Sequence, residues 1–284
     1  MESYLVGLVG TGIGPSLSPA LHEREADRLG LRYLYRRLDL DVLGVPAGAI
    51  GEVLAATRLT GFDGLNVTHP CKQLVLDHLD ELSEQAAAVG AVNTVVFDDG
   101  RAVGYNTDVT GFARAVELGL SDVALGEVVL VGAGGAGAAC AHALLSMGVG
   151  QVRVFDIEAS RATALASRLG ARAVAGGSLA TALDGADGLV HATPTGMGAH
   201  PGLPLPADLL DPRLWVADVV YRPLRTALVA AARERGCRVL DGGRMAVFQA
   251  ADSFRLFTGT EPDADRMLRD FTTLVPEEAP CPTP

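Results

Sequence analysis

The stretch Glu127-Val-Val-Leu-Val-Gly-Ala-Gly-Gly-Ala-Gly-Ala-Ala139 decides the fold. Residues 128–131 form an uninterrupted apolar run, the pattern of a strand covered on both faces in a parallel sheet. Gly132, Gly134 and Gly137 follow at once as G-x-G-x-x-G, and residues 138–147 carry the pattern of a helix. Each glycine answers a separate steric demand: a tight turn, close backbone approach to a pyrophosphate, and close packing of helix on strand. Phosphates would rest on the helix N-terminus, where N–H groups and the helix dipole favour an anion. A glycine-rich turn by itself can be purely structural. Here a second strand, 151–155, ends in Asp156, 19 residues beyond Gly137 and close to the spacing of a ribose-binding carboxylate. The expectation is a doubly wound, Rossmann-type dinucleotide-binding unit.

The chain has 284 residues, 49% of them hydrophobic and 20% charged, which suits one or two globular domains with sizeable cores. A formal net charge of −11 without any cluster of Lys or Arg argues against nucleic acid or an anionic membrane as partner. Met1-Glu-Ser-Tyr4 leads into a short strand without a signal-peptide pattern, and no apolar run approaches the ~18 residues of a membrane span. Cys71, Cys140, Cys237 and Cys281 are scattered without a C-x-x-C pair, and no residue set has metal-ligand spacing. These features lead us to expect a cytoplasmic protein with reduced thiols, no metal and a small-molecule partner, either a monomer or a homodimer.

Upstream, residues 4–9 read as a strand followed by Gly10-Thr-Gly-Ile-Gly-Pro-Ser-Leu-Ser-Pro19, which can neither extend the strand nor start a helix before Pro19. Ser16 and Ser18 alternate with Leu17, so in an extended segment both hydroxyls point the same way and could hold a polyol. Taken locally, Ser18 is the N-cap of the helix, 20–29, that Pro19 opens. A strand at 34–38 and a helix at 46–57 follow. Residues 65–68 read as a strand stopped by Pro70, placing Lys72 at a helix start, where a cation opposes the dipole by a few tenths of a kcal/mol. Asn66, Thr68 and His69 form a polar cluster with it beside an apolar strand, which marks Lys72 as a candidate pocket residue. A helix is expected over 74–82. Asn93 lies in an apolar run and needs partners for its amide. Asp98-Asp-Gly100 reads as a hairpin turn, and a helix begins over 111–117.

In the second half, a strand runs into a Pro/Gly loop within 185–197, another covers 214–220, a helix 226–235, and a last strand 238–240. Ligands sit at the carboxyl ends of strands in such sheets, which gathers residues 132–137, Asp156, Thr193 and Tyr221 around one crevice. A long helix, 245–257, carries Gln249 back to the first domain. The expected organisation is an α/β fold of two domains. An N-terminal α/β substrate domain, 1–112, is completed by 246–275, the dinucleotide domain is 113–245, and 276–284 form a disordered tail.

Taken together the chain resembles the shikimate dehydrogenase family, most closely its quinate/shikimate branch. The matching stretches are Ser16-Leu-Ser-Pro19, Asn66-Val-Thr-His-Pro-Cys-Lys72, Gly90-Ala-Val-Asn-Thr94, Asn106-Thr-Asp108, Gly132-Ala-Gly-Gly-Ala-Gly137, Ala192-Thr-Pro-Thr-Gly-Met197, Asp218-Val-Val-Tyr221 and Met245-Ala-Val-Phe-Gln249. The resemblance implies a two-domain enzyme with its active site in the cleft between domains and Lys72 and Asp108 as the catalytic pair. It implies Ser16 and Ser18 at the substrate carboxylate, assisted by Tyr221, and Thr68, Asn93 and Gln249 at the ring hydroxyls. Gly132, Ala133, Gly134, Gly135, Ala136, Asp156, Arg161, Thr193, Val219, Gly242 and Met245 would line the cofactor.

Oxidising a secondary alcohol releases a hydride and a proton, so a group beside the hydroxyl must take the proton. A lysine amine can do so where desolvation favours it, and a neighbouring carboxylate opposes that, so the pair either shuttles the proton or orients the oxygen. The chain also departs from the family pattern. Where many members carry Asn-Arg-Thr, with the arginine on the 2′-phosphate of NADP, this chain has Asp156-Ile-Glu158, and an acid there accepts from a ribose hydroxyl and repels a phosphate. NAD is therefore the expected cofactor. Pro15 stands where a histidine is usual, Glu23 replaces an asparagine after His22, and His191 replaces one before Ala-Thr-Pro. The expected activity is oxidation of quinate and/or shikimate at C3. Alternatives are biosynthetic reduction of 3-dehydroshikimate, action on an amino analogue, or a non-catalytic nucleotide sensor, against which Lys72 and Asp108 count.

Overall fold

The computed structural model describes residues 2–275; the expected disordered tail, 276–284, lies outside them. By internal contacts the chain forms two compact units: residues up to Thr107 with those from Gln249 onward, and Asp108–Phe248. The sequence-based limits at 112/113 and 245/246 thus become 107/108 and 248/249. Both boundaries fall inside continuous helices, Thr107–Gly119 and Gly243–Thr258, which apolar patterning cannot divide.

In the first unit, β1 (Ser3–Gly10), β2 (Arg32–Asp39), β3 (Gly64–Val67), β4 (Glu81–Leu82), β5 (Thr94–Asp98) and β6 (Arg101–Tyr105) form one mixed sheet in the order β2-β1-β3-β5-β6-β4. β1 is parallel to β2 and β3, and the β3–β5 and β5–β6 pairs are antiparallel. The β5–β6 turn places Asp99 (φ 45°) and Gly100 (φ 75°) in the left-handed region, as a two-residue Asp-Gly hairpin requires. Val9, Leu65, Val92 and Val95 are fully buried between this sheet and the helix Ile50–Leu59, which contributes Ile50 and Leu54 to the same cluster.

The helix expected over 74–82 does not form. One α-turn, Cys71–Leu74, passes into a 3₁₀ turn, Val75–His78, and then into β4. Asp80 N–H donates to the Ala102 carbonyl at 2.9 Å and its carboxylate accepts from Ala102 N–H at 2.7 Å. These bonds draw the segment to the edge of β6, an instance of tertiary pairing overriding local propensity.

In the second unit, β7 (Glu127–Val131), β8 (Gln151–Phe155), β9 (Ala173–Ala175), β10 (Gly188–His191), β11 (Trp215–Asp218) and β12 (Arg238–Leu240) form a parallel sheet in the order β12-β11-β10-β7-β8-β9. Numbered within the unit this is 3-2-1-4-5-6, the doubly wound arrangement, with its switch point between β7 and β10. Residues 128–130 are fully inaccessible, as the uninterrupted apolar run requires. The helix after β7, Gly135–Ser146, is apolar on nearly every face and packs as small residues, Ala138, Ala139, Ala141 and Ala143, all buried. Among the described residues no helix is long and apolar enough to cross a membrane.

Candidate active site

At the switch point of the parallel sheet, the chain leaves β7 through Gly132, whose φ of +110° suits glycine. Its N–H donates to the Phe155 carbonyl at 2.8 Å, and a Cβ there would lie 2.7 Å from the Ala192 carbonyl oxygen. At Gly137 a Cβ would run into the Gly132 carbonyl oxygen, whereas nothing lies within 4 Å of one at Gly134. Turn, close packing and open approach are thus divided among the three glycines. Gly134 is the N-cap of the helix that Gly135 and Ala136 begin, and no side chain caps it. Such a helix end is suited to an anionic ligand, so these residues fit a dinucleotide pyrophosphate.

Asp156, just past β8, turns back on this loop: Oδ2 accepts from Ala133 N–H at 2.8 Å and Oδ1 from Glu158 N–H at 2.9 Å. Arg161 is paired with Glu158 at 2.8 Å, both side chains more than half exposed. Ile157, between Asp156 and Glu158, is wholly exposed. Thr193 follows β10 and Val219 follows β11, with Val219 N–H donating to the His191 carbonyl at 3.0 Å. A Cβ at Gly242 would lie 2.6 Å from the Val219 and Val220 carbonyl oxygens, so the loop after β12 can lie on that after β11 only as glycine. Met245 is buried on the helix that follows, and Tyr221 is half-buried in the loop beyond β11. The predicted cofactor residues therefore gather at the carboxyl ends of this one sheet, with Arg161 further out on the helix Ala159–Leu169.

On the first unit, Thr68 N–H donates to the Val9 carbonyl at 2.9 Å and its carbonyl accepts from Cys71 N–H at 2.8 Å. That fixes the turn carrying Lys72, whose carbonyl accepts from Val92 N–H at 2.8 Å, next to Asn93. Asn93 Oδ1 accepts from Thr107 N–H at 2.8 Å and from the Thr94 hydroxyl at 3.0 Å, while Nδ2 donates to Thr107 Oγ1 at 2.9 Å. Thr107 Oγ1 in turn donates to the Gln249 carbonyl at 3.0 Å. One buried threonine thereby ties together two predicted substrate residues that stand far apart in sequence.

Ser18 is not an N-cap. The cap position is Leu17, whose backbone is helical and not extended (φ −90°, ψ −7°) and which makes no side-chain bond; Ser16 Oγ donates to Ser18 Oγ at 3.3 Å, so the hydroxyls meet without the extended segment that alternation assumes. Asp39, at the end of β2, holds their loop by accepting from Gly12 N–H at 3.2 Å and Ile13 N–H at 2.8 Å. Lys72 belongs to the first unit; Asp108, 5% exposed, opens the second, directly after Thr107.

Sequence reasoning singled out Asn66 and His191 but not the partners around them, Tyr35, Thr94 and Thr226. Asn66 is buried, with Oδ1 accepting from the Tyr35 hydroxyl at 2.7 Å and Nδ2 donating to Thr94 Oγ1 at 3.1 Å. In the second unit, His191 Nδ1 lies 2.9 Å from Asp218 Oδ1, and Thr226 Oγ1 donates to Asp218 Oδ2 at 2.6 Å. The signal available was a polar residue within an apolar strand, which demands a partner but does not name it. Among the described residues no group of three or more His, Cys, Asp or Glu could hold a metal ion.

This combination of a glycine cradle with a lysine, hydroxyls and amides has counterparts in known proteins. The family profile described as the shikimate dehydrogenase substrate binding domain matches residues 8–95, and that of the shikimate 5′-dehydrogenase C-terminal domain matches 243–269. A shikimate dehydrogenase (NADP(+)) of Streptomyces avermitilis is 64% identical over 280 residues, covering 96% of this chain and 96% of that protein. A quinate/shikimate dehydrogenase (NAD(+)) of Corynebacterium efficiens is 51% identical over 281 residues, covering 96% and 99%. The structure of quinate dehydrogenase from Corynebacterium glutamicum in complex with NAD superposes with a TM-score of 0.88 at 47% identity, covering 96% of this chain and 100% of that one. At these identities, sustained over nearly the whole length, the chain belongs to the shikimate dehydrogenase family.

Proposed function

We propose that the protein is an NAD-dependent dehydrogenase that oxidises quinate and/or shikimate at the C3 alcohol. The observation that carries this is the polar set on the first unit: Ser16, Thr68, Lys72 and Asn93 on turns, Ser18 at a helix start, and Gln249, whose carbonyl is bound to the Asn93 partner Thr107, on the helix Gly243–Thr258. Paired serine hydroxyls suit a carboxylate, which Tyr221 is assigned to assist, and amides and a threonine suit ring hydroxyls. Lys72, with Asp108, takes or positions the proton of the reacting hydroxyl. Bound NAD would supply the hydride acceptor.

The choice of NAD is supported by Asp156. Its oxygens each accept one backbone N–H and each keep a lone pair for a ribose hydroxyl, while its charge opposes a 2′-phosphate. Glu158 adds a second negative charge and engages Arg161, the cation nearest in sequence that could meet a phosphate. Initial rates with NAD or NADP and with shikimate and quinate offered separately test this. We expect turnover with NAD at a kcat/KM at least about tenfold above that with NADP, the size of one opposed charge contact. Preference for NADP would overturn the cofactor assignment and leave the dehydrogenase. Binding of NAD without turnover of either acid would point to an amino analogue or a nucleotide sensor. The relative that is 64% identical and named for NADP(+) favours a second reading, reduction of 3-dehydroshikimate in biosynthesis.

A further inference from the structure

At the ends of β10 and β11 lies a buried polar network centred on His191. His191, Asp218 and Thr226 are at most 2% exposed. Asp218 Oδ1 accepts from Val220 N–H at 3.0 Å and lies 2.9 Å from His191 Nδ1, and Oδ2 accepts from Thr226 Oγ1 at 2.6 Å. The other nitrogen, His191 Nε2, lies 2.5 Å from Thr193 Oγ1. A carboxylate only accepts, so the imidazole hydrogen belongs on Nδ1, and in that tautomer Nε2 is the acceptor. The Thr193 hydroxyl hydrogen is thereby directed inward to His191. Thr195 N–H donates to the same oxygen at 3.2 Å, which leaves one lone pair of Thr193 facing away from the network.

We propose that His191, oriented by Asp218, is a positioning residue that fixes the Thr193 hydroxyl as an acceptor. The loop after β10 would then recognise a hydrogen-bond donor of the dinucleotide, a carboxamide N–H or a ribose O–H, and not a phosphate oxygen. The same carboxylate holds Val220 N–H, and the His191 carbonyl holds Val219 N–H at 3.0 Å, so the loops after β10 and β11 are set by one unit. This rests on the dinucleotide function proposed above. A histidine that merely fills the core would support the fold equally well whatever stands at 193, and the two roles separate in a double-mutant cycle.

The experiment is a fluorescence titration of purified full-length protein with NADH, or NADPH where wild type prefers it, with a thermal melt of every variant. Thr193→Val keeps the shape and loses the hydroxyl; about tenfold weaker NADH binding is expected, while Thr193→Ser stays within about threefold of wild type. His191→Leu should weaken binding by a similar factor and lower the melting temperature. The double variant should bind no worse than Thr193→Val alone. Independent, multiplying effects of the two substitutions would overturn the inference and leave the proposed function intact. Should His191→Leu fail to fold, equal NADH affinity of Thr193→Val and Thr193→Ser would overturn it alone. Wild-type protein that binds neither dinucleotide would overturn the inference and the proposed function together.

Discussion

The two units of the chain present their candidate residues by opposite means. The nucleotide half is made of backbone: within residues 132–137, side chains are absent where a Cβ would strike a carbonyl or block the approach, and a helix end supplies the N–H groups. The substrate half is made of side chains brought together from distant segments. Asn66 meets Tyr35 across 31 positions, and Thr107 meets Gln249 across 142. A backbone site is specified locally by what must be missing. A side-chain site is specified by complete satisfaction of buried donors and acceptors, each of which costs about 1–3 kcal/mol if left unmatched.

The histidines run against this division. In the second unit, both His191 nitrogens have partners. His22, in the aromatic core of the first, has Nδ1 2.9 Å from the Tyr33 hydroxyl, but its Nε2 has no partner among the described residues. It is enclosed by Tyr33, Tyr35, Phe254 and Phe257, and burial pushes its pKa down from 6.5 to about 3.

The sharpest separation of the halves comes from Lys72→Ala. Turnover should fall by about 10³-fold, within the range of a lost acid–base group, while NADH titration stays as in wild type, because Lys72 belongs to the other unit. Loss of both together would break the assignment of chemistry to one half and cofactor to the other. Gly137→Ala tests the converse. The added Cβ meets the Gly132 carbonyl, so NADH affinity should drop by about 100-fold as the turn is displaced, whereas a gain of only a methyl on a tolerant helix would leave it unchanged.

Acid should act on the first unit through His22. Its folded pKa lies below its unfolded value, so between about 3 and 6.5 the unfolded chain binds the extra proton. The associated stability is complete above about 6.5 and is lost as pH falls toward 3; from pH 7 to 5 the loss is about 2 kcal/mol. Thermal melts across that interval should fall more steeply for wild type than for His22→Gln, and parallel slopes would show that another group governs acid sensitivity. The smallest effect expected is that of Thr107→Val. Removing the hydroxyl shared by Asn93 and the Gln249 carbonyl should lower kcat/KM by about tenfold, mostly through the substrate KM, with NADH binding unaltered. An unchanged substrate KM would mean that Asn93 is held well enough by its backbone.

Much of the fold was legible because it is written in local terms. The buried run 128–131, the glycine spacing and Asp156 specify a strand, a turn and a second strand within thirty residues, and neither needs knowledge of distant chain. The pairing of Ser16 with Ser18 was not legible in these terms: alternation assumed an extended segment and capping rules favoured Ser18 as the cap, whereas Leu17 is helical and is itself the cap. What was not legible depends on partners. The segment 74–82 has helical composition and is drawn to the sheet by Asp80 and Ala102, and β9 and the helix Ala264–Leu274 gave no signal strong enough to place them.

The sequence alone determined the parallel sheet of the second unit and its glycine cradle, because periodicity and steric absence act between near neighbours; the substrate residues were assigned their roles only through the family resemblance. Only tertiary structure decided that Thr107 links Asn93 to Gln249, that His191 and Asp218 order Thr193, and that β4 replaces a helix. A buried polar group states that it needs a partner, but the partner is chosen by the packing that brings remote chain within about 3 Å.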